Sequence, residues 1–342
     1  MDREMDGEVE GKTNSEHSGS VSEFSRVGRR GKWLLYLRIA FSLSLFVWVL
    51  ILGYKEGMFS KLHSSHVTVI LMCVVIYCFL QALSAFNWWV IALATGVRIR
   101  FIDALIAFFV GMFFNLFLPG VVGGDIIRAY IASKRSCNLP LSSVIGTVYA
   151  QRSTGFVALV ALGCVAAVWL GKAVKEFVIK TLLVFFMLLV VASSFIAVLL
   201  IWRNSKSRWK QRLARFSEGA VLFLAQPWYA IVVFVIAIMY HLCLDAMLYW
   251  LGSSVGMKGS YPLYVAMVSS LTAISSIPIA IHGLGVREIT AAHLWALTGV
   301  GTESAILWSL LWRLITWLAA LPGGLIYLGL VASGLKEEIL KV

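Results

Sequence analysis

Two proline- and glycine-containing stretches hold the charged residues most able to do chemistry in this sequence. The first is LPGVVGGDIIR (118–128), and the second is IPIAIHGLGVRE (277–288). Each is followed by a long apolar run with an arginine inside it, Arg152 in the first case and Arg313 in the second. Because proline and glycine interrupt helices, the pattern predicts two broken helical segments that carry ionisable side chains.

The first stretch has the composition of an anion site. Gly123 and Gly124 permit a tight turn, and a helix that begins at Asp125 would present free N–H groups and a positive dipole end. Asp125 is also a good N-cap residue, so a purely structural role remains open for it. Arg128 either faces a phosphate or extends to the cytoplasmic surface, and the second position is slightly favoured.

The arginines inside the apolar runs require partners, because a charge within a membrane span costs at least about 2.5–3.5 kcal/mol. We expect Arg152 to pair with Asp125, and Arg313 to pair with Glu288. Four arginines against two acids leave a net charge of +2, which favours an anion such as a lipid phosphate; the arginines are Arg128, Arg152, Arg287 and Arg313. The alternative is that both pairs are structural and only hold helices together.

His241 and Asp245 lie four residues apart and hence on one helical face. They could relay protons, or they could form an ordinary polar contact between helices. The sequence shows no nucleophile–base arrangement, phosphate-binding loop or metal-ligand cluster. We therefore expect no enzymatic activity, no cofactor and no metal.

The composition is that of an integral membrane protein. Of the 342 residues, 60% are hydrophobic and 13% are charged, and the mean hydropathy is +0.87. Residues 1–25 are acidic and rich in Ser and Gly, so we expect a disordered tail there. A membrane domain over 26–335 and a short tail over 336–342 complete the predicted organisation. The net charge of +12 fits membrane orientation and anionic lipid, not nucleic acid.

Apolar runs predict an all-α polytopic protein with six full spans and two re-entrant segments. The spans are Trp33–Leu52, Val67–Ala94, Leu141–Leu170, Phe177–Trp202, Trp228–Leu251 and Glu303–Leu330, the last with a break at Pro322-Gly323-Gly324. The re-entrant segments surround the two broken stretches, with short helices over Asp125–Ala132 and Glu288–Leu297. Basic loops then place both termini in the cytoplasm of a cell inner membrane, and the two halves form an inverted repeat.

The charged stretches also resemble a known family, the lysylphosphatidylglycerol synthase transmembrane-region or flippase-like UPF0104 membrane proteins. The resemblance rests on Asn115-x₃-Pro119-Gly120-x₂-Gly123-Gly124-Asp125-x₂-Arg128, on Arg152-x₂-Gly155, and on GLGVRE (283–288) with Arg313. It covers about residues 30–332 and implies movement of lipids, such as aminoacylated phosphatidylglycerol, between leaflets. The aminoacyl-transfer domain of full synthases is not expected here, and Gln151 stands where the family often has an acid.

We therefore expect a flippase-like transporter whose substrate is an anionic or modified (aminoacylated or glycosylated) phospholipid. The expected binding residues are Asn115, Gly123, Gly124, Asp125, Arg128, Arg152, Arg287, Glu288 and Arg313. The alternative is a non-transporting membrane anchor or regulator of a lipid-modifying enzyme or glycosyltransferase. In that case the basic loop Arg203–Arg215 would be a docking surface and not merely a determinant of orientation. The sequence does not fix the oligomeric state.

Overall fold

A computed structural model describes residues 65–118, 122–136, 139–201, 226–277 and 284–332, together with single residues between 44 and 55. The elements in these ranges are helices. They are α1 (Ser65–Ala94), α2 (Phe101–Asn115), α3 (Val122–Arg135), α4 (Leu141–Ala167), α5 (Lys172–Ile201), α6 (Pro227–Ser254), α7 (Tyr261–Ser275), α8 (Val286–Ala296) and α9 (Thr302–Leu330).

Four of the described helices are long and apolar enough to cross a membrane: most of α1, and all of α4, α6 and α9. Helix α5 is also long, with 30 residues. By contrast, α2 and α7 have 15 residues each, or about 22 Å, which is short for a complete crossing.

Several predicted features lie outside the described residues. These are the two tails, most of the first span, the Arg203–Arg215 loop, and the positions 119–121 and 278–283 at the centres of the broken stretches.

Two local predictions were wrong. Helix α3 begins at Val122, so Asp125 lies in its first turn and is not the N-cap residue. Helix α9 continues through Pro322 to Leu330, so the predicted break is absent. The adjacent glycines instead allow close packing on α2, because a Cβ atom on Gly323 would collide with the Phe109 carbonyl group.

Helices α2 and α3 form a tightly packed antiparallel hairpin. Near its tip, Gly111 on α2 lies against Gly124 on α3, where a Cβ atom on either glycine would overlap the opposite backbone. At the other end, Arg135 Nε donates to Asp103 Oδ1 at 2.7 Å. This second contact was not anticipated from the sequence, and together the two fix the hairpin along its length.

The described helices include two sets of four with similar lengths. Helices α1–α4 have 30, 15, 14 and 27 residues, and α6–α9 have 28, 15, 11 and 29. Helices α2 and α7 start 160 positions apart, at 101 and 261. The turns before them contain Gly96 and Gly256, with φ values of +72° and +78°, also 160 positions apart. Both glycines adopt the left-handed conformation that a non-glycine residue disfavours.

The packing of the two sets corresponds at individual positions. Gly163 of α4 lies against Ser269 of α7, and 160 positions away Gly323 of α9 lies against Phe109 of α2. One tryptophan of each set also forms a hydrogen bond between the two outer helices of that set. Trp88 Nε1 donates to Thr147 Oγ1 at 2.9 Å, and Trp308 Nε1 donates to the Leu248 carbonyl oxygen at 2.9 Å. Individual contacts of the first set therefore recur in the second at an offset of about 160 positions.

Candidate functional site

A cavity of about 780 Å³ lies among the described helices, with residues of α1, α3, α4 and α6 on its wall. Its charged lining residues are Asp125, Arg128 and Arg152, which give two cations against one anion. These three positions come from the first broken stretch and the helix that follows it. Among the described residues, these three are the Asp, Glu, Lys and Arg side chains on the wall, and the sequence identified all of them.

Asp125 and Arg152 form the predicted ion pair with two hydrogen bonds. Arg152 Nε donates to Oδ2 and Nη2 donates to Oδ1, both at 2.9 Å. This bidentate geometry is the strong form of an arginine–carboxylate contact. The Arg152 side chain is nevertheless 51% exposed, although it lies within a long apolar helix. Since it lines the cavity, it can remain paired with Asp125 and still meet a ligand.

Arg128 is buried beside the same carboxylate. Its Nε lies 3.2 Å from Asp125 Oδ1, yet Nε and Nη2 have no hydrogen-bond partner, so the contact is electrostatic. The guanidinium group lies over the rings of Trp88 and Phe108, at 4.9 and 5.0 Å. The favoured prediction that Arg128 extends to the surface was wrong, because these rings and α2 enclose it.

The glycines of the first stretch position this cluster. The Gly124 N–H donates to Asn115 Oδ1 at 2.9 Å, so one of the N–H groups predicted to be free for an anion is already bonded. A Cβ atom on Gly123 would meet the Leu118 side chain. Asn115 lines the cavity, whereas Gly123 and Gly124 shape the turn behind it. The glycines therefore allow the close approach that brings Asp125 and Arg128 to the wall.

The second stretch forms the corresponding ion pair, but this pair is buried, and we call it closed. Arg313 Nε donates to Glu288 Oε1 at 2.7 Å, and Glu288 Oε2 accepts the Gly285 N–H at 2.9 Å. The two side chains are 2% and 0% exposed. This pairing confirms the prediction, but neither residue lines the cavity.

Arg287 is held close to this pair. Its guanidinium group lies 3.9 Å from the centre of the Trp312 ring, and Nη2 donates to the Ser309 carbonyl oxygen at 3.4 Å. Trp312 itself lines the cavity, but Arg287 does not. A substrate-binding role for Arg287, Glu288 and Arg313 thus stays a prediction.

The His241–Asp245 pair is divided between two environments. His241 lines the cavity, and its Nε2 donates to the Gly155 carbonyl oxygen at 3.0 Å. Asp245 is 2% exposed and lies behind the wall. The proton relay remains a prediction, with the histidine as its member facing the cavity.

A neutral polar stripe on α1 was missed from the sequence. Tyr77, Gln81, Ser84 and Asn87 all line the cavity. Gln81 Nε2 donates to the Tyr240 hydroxyl group at 3.3 Å, and Gln151 Nε2 donates to the Ser84 carbonyl oxygen at 2.7 Å. Their spacing of three and four residues within an apolar run is the pattern that could have revealed one polar helical face.

In the part of the chain that the structure describes, no group of three or more His, Cys, Asp and Glu residues could hold a metal ion. The wall itself offers two guanidinium groups, a carboxylate that orients them, and neutral hydrogen-bonding side chains.

The helices and the charged hairpin define a class, that of polytopic membrane proteins with a polar cavity between apolar helices. The sequence profile described as the lysylphosphatidylglycerol synthase TM region matches residues 35–324, and the chain belongs to this family. It is also similar to a UPF0104 membrane protein of Pyrococcus horikoshii, with 25% identity over 118 residues. That match covers 34% of this chain and 35% of the relative, so the aligned part spans about a third of the relative's length.

Proposed function

We propose that this protein binds the phosphate of a membrane phospholipid at Arg128 and Arg152 and moves the lipid between leaflets. The observation that carries the proposal is the state of Arg128, a guanidinium group 2% exposed with two nitrogens that lack hydrogen-bond partners. Buried charged donors are normally satisfied. A ligand that brings acceptor oxygens to the cavity wall would supply the missing partners.

Charge selects the kind of ligand. Asp125 balances one of the two arginines, so the wall has a surplus of one positive charge. In surroundings of low polarity, this surplus favours an anion more strongly than it would in water. A phosphate oxygen can accept from Arg128 or from the remaining Arg152 donors without displacing the Asp125–Arg152 bonds.

Another part of the wall suits acyl chains. Phe185, Leu188 and Leu189 of α5 line the cavity, and Leu188 is 57% exposed. The apolar wall therefore reaches the surface that faces hydrocarbon in a membrane. A phospholipid could enter sideways with its phosphate at the arginines and its chains along α5.

The corresponding helix sets support an inverted-repeat mechanism. Helices α1 and α6 are antiparallel, since Gln81 contacts Tyr240 while Asn87, further along α1, donates to Val233, earlier along α6. This antiparallel direction supports the proposal that α1 and α6 are equivalent spans, with the two hairpins entering from opposite sides of the bilayer. We propose six spans, two re-entrant hairpins, cytoplasmic termini and rocking of one repeat against the other as the mode of transport.

Reconstitution of the full chain into liposomes tests this function. Acyl-labelled phosphatidylglycerol should become accessible to a membrane-impermeant quencher faster than in protein-free liposomes. Arg128→Gln should slow this movement about tenfold or more, because a charge-assisted bond contributes roughly 1.5–3 kcal/mol.

Lys180→Gln is the matched control. It also removes one positive charge, but from an exposed pair with Glu176 on α5, and it should transport as the wild type does. Equal rates for Arg128→Gln and wild type would contradict the proposal. Absence of movement with retained binding of a lipid-modifying enzyme would favour the anchor or regulator instead.

A further inference from the structure

We infer that the cavity takes a phospholipid whose headgroup is uncharged and hydroxyl-bearing beyond the phosphate, such as glycerol or another polyol, and discriminates against an aminoacyl headgroup with a free ammonium group. This rests on the proposed function of the cavity and narrows its substrate class. The inference comes from the distribution of carboxylates and neutral polar groups around the two arginines.

An ammonium group taken out of water needs a carboxylate partner. Among the described residues, Asp125 is the acid on the cavity wall, and both of its oxygens already accept from Arg152. Arg128 lies 3.2 Å from one of those oxygens as well. A lysyl or alanyl ammonium group would have to displace an arginine to reach this carboxylate.

The other acids in the described part of the chain are committed or lie elsewhere. Asp103 pairs with Arg135, and Glu288 pairs with Arg313. Glu176 lies beside Lys180 on α5, Glu303 is in the first turn of α9, and Asp245 is buried off the cavity wall. An aminoacyl headgroup would therefore bring a cation to a wall that already has a positive surplus, without a counter-charge.

The remaining polar wall suits hydroxyl groups. Its side chains are neutral hydrogen-bonding groups that include Tyr77, Gln81, Asn87, Tyr240 and Thr316. Besides the two Arg128 nitrogens, two buried polar atoms on lining residues have no hydrogen-bond partner, Asn87 Oδ1 and Ser153 Oγ. A polyol hydroxyl can donate to the amide oxygen and exchange hydrogen bonds with the tyrosine and threonine hydroxyls, because each hydroxyl is both a donor and an acceptor.

The first test compares phosphatidylglycerol with lysyl-phosphatidylglycerol in the same liposomes, each labelled on an acyl chain. We expect phosphatidylglycerol to move about tenfold faster or more, since an unpaired charge costs at least as much as an unmade charged hydrogen bond. Movement of lysyl-phosphatidylglycerol at the same rate or faster would overturn the inference while leaving lipid transport intact.

Native mass spectrometry of the purified full chain in an equimolar mixture of the two lipids separates headgroup selection from transport. Preferential retention of phosphatidylglycerol without movement in liposomes would sink the transport function but keep the headgroup inference. Retention of both lipids equally would overturn the inference. Retention of neither above a phosphatidylcholine control would overturn both.

Gln151→Glu sharpens the test by adding a carboxylate to the cavity wall at the position before Arg152. The side chain keeps almost the same shape but gives up its hydrogen bond to the Ser84 carbonyl oxygen, so the variant's stability is measured as well. The variant should bring the two rates closer together by raising movement of lysyl-phosphatidylglycerol relative to phosphatidylglycerol. The ratio of the two rates could also stay unchanged in a variant that melts as the wild type does. That result would contradict the claim that lysyl-phosphatidylglycerol moves slowly because the wall lacks a carboxylate for its ammonium group. If the variant does not fold, the wild-type comparison of the two lipids decides the matter.

Discussion

Each of the two broken stretches contributes an acid that pairs with an arginine, but one pair is exposed on a cavity wall and the other is buried. In the first, Asp125 and Arg152 share two hydrogen bonds, and Arg152 stays 51% exposed on a cavity wall. In the second, Glu288 and Arg313 are sealed, with side chains 0% and 2% exposed. An acid followed by an arginine 25 or 27 positions later thus does not by itself define a binding site.

The packing also differs between the regions of the two pairs. The interface of α8 and α9 is filled by tryptophans, with Trp295 and Trp308 rings 5.7 Å apart and Trp308 and Trp312 rings 5.5 Å apart. Beside the first pair lies an open cavity, whose wall carries polar side chains among apolar ones. If the two helix sets exchange roles during the proposed transport, the Glu288–Arg313 pair becomes exposed when the Asp125–Arg152 pair becomes buried.

The largest expected effect comes from breaking the closed pair. Arg313→Met leaves the Glu288 carboxylate buried with the Gly285 N–H as a remaining donor, and should lower the free energy of unfolding by roughly 3–5 kcal/mol. Unfolding of the purified protein by heat or SDS measures the change. Glu288→Gln combined with Arg313→Met should recover part of the loss, because no charge remains unpaired. A single variant as stable as the wild type would show that the pair is dispensable.

A smaller loss of stability is expected from a substitution in the α2–α3 hairpin, which carries Asp125 and Arg128. Gly124→Ala puts a methyl group against the Gly111 carbonyl group and the Asn115 side chain, and should cost about 1–3 kcal/mol through overpacking. Gly329→Ala in α9 is the matched control, since a Cβ atom there meets nothing within 4 Å. The control should be neutral or slightly stabilising. Equal melting temperatures for the two variants would argue against close packing in the hairpin.

The smallest effect on stability is expected from breaking the Asp125–Arg152 ion pair. Arg152→Gln leaves Asp125 close to Arg128, which still balances the carboxylate, and Arg152 is half-exposed, so the loss should stay below about 1 kcal/mol. Lipid movement should nevertheless fall about tenfold or more, as for Arg128→Gln. Melting curves and the liposome assay on the same preparation separate the two effects. A stability loss as large as that of Arg313→Met would contradict the claim that the exposed pair contributes less to stability than the buried pair.

The sequence predicted both ion pairs, because arginines inside apolar runs require nearby acids. It could not predict which pair is exposed, since that depends on how the helices pack after folding. The start of α3 was also missed. Gly123 and Gly124 have low helix propensity, and the helix begins at Val122 with the Asn115 side chain bonded to the Gly124 N–H. The polar stripe of α1 was readable in principle, but its neutral residues gave a weaker signal than the charges.

The most direct measurement is the position of the lipid phosphate in an experimental structure of the protein in a phospholipid nanodisc. The account predicts phosphate oxygens within hydrogen-bonding distance, about 2.7–2.9 Å, of nitrogens of both Arg128 and Arg152, with the Asp125–Arg152 bonds retained. A cavity that holds only acyl chains or water, with lipid phosphates confined to the membrane surface, would contradict it.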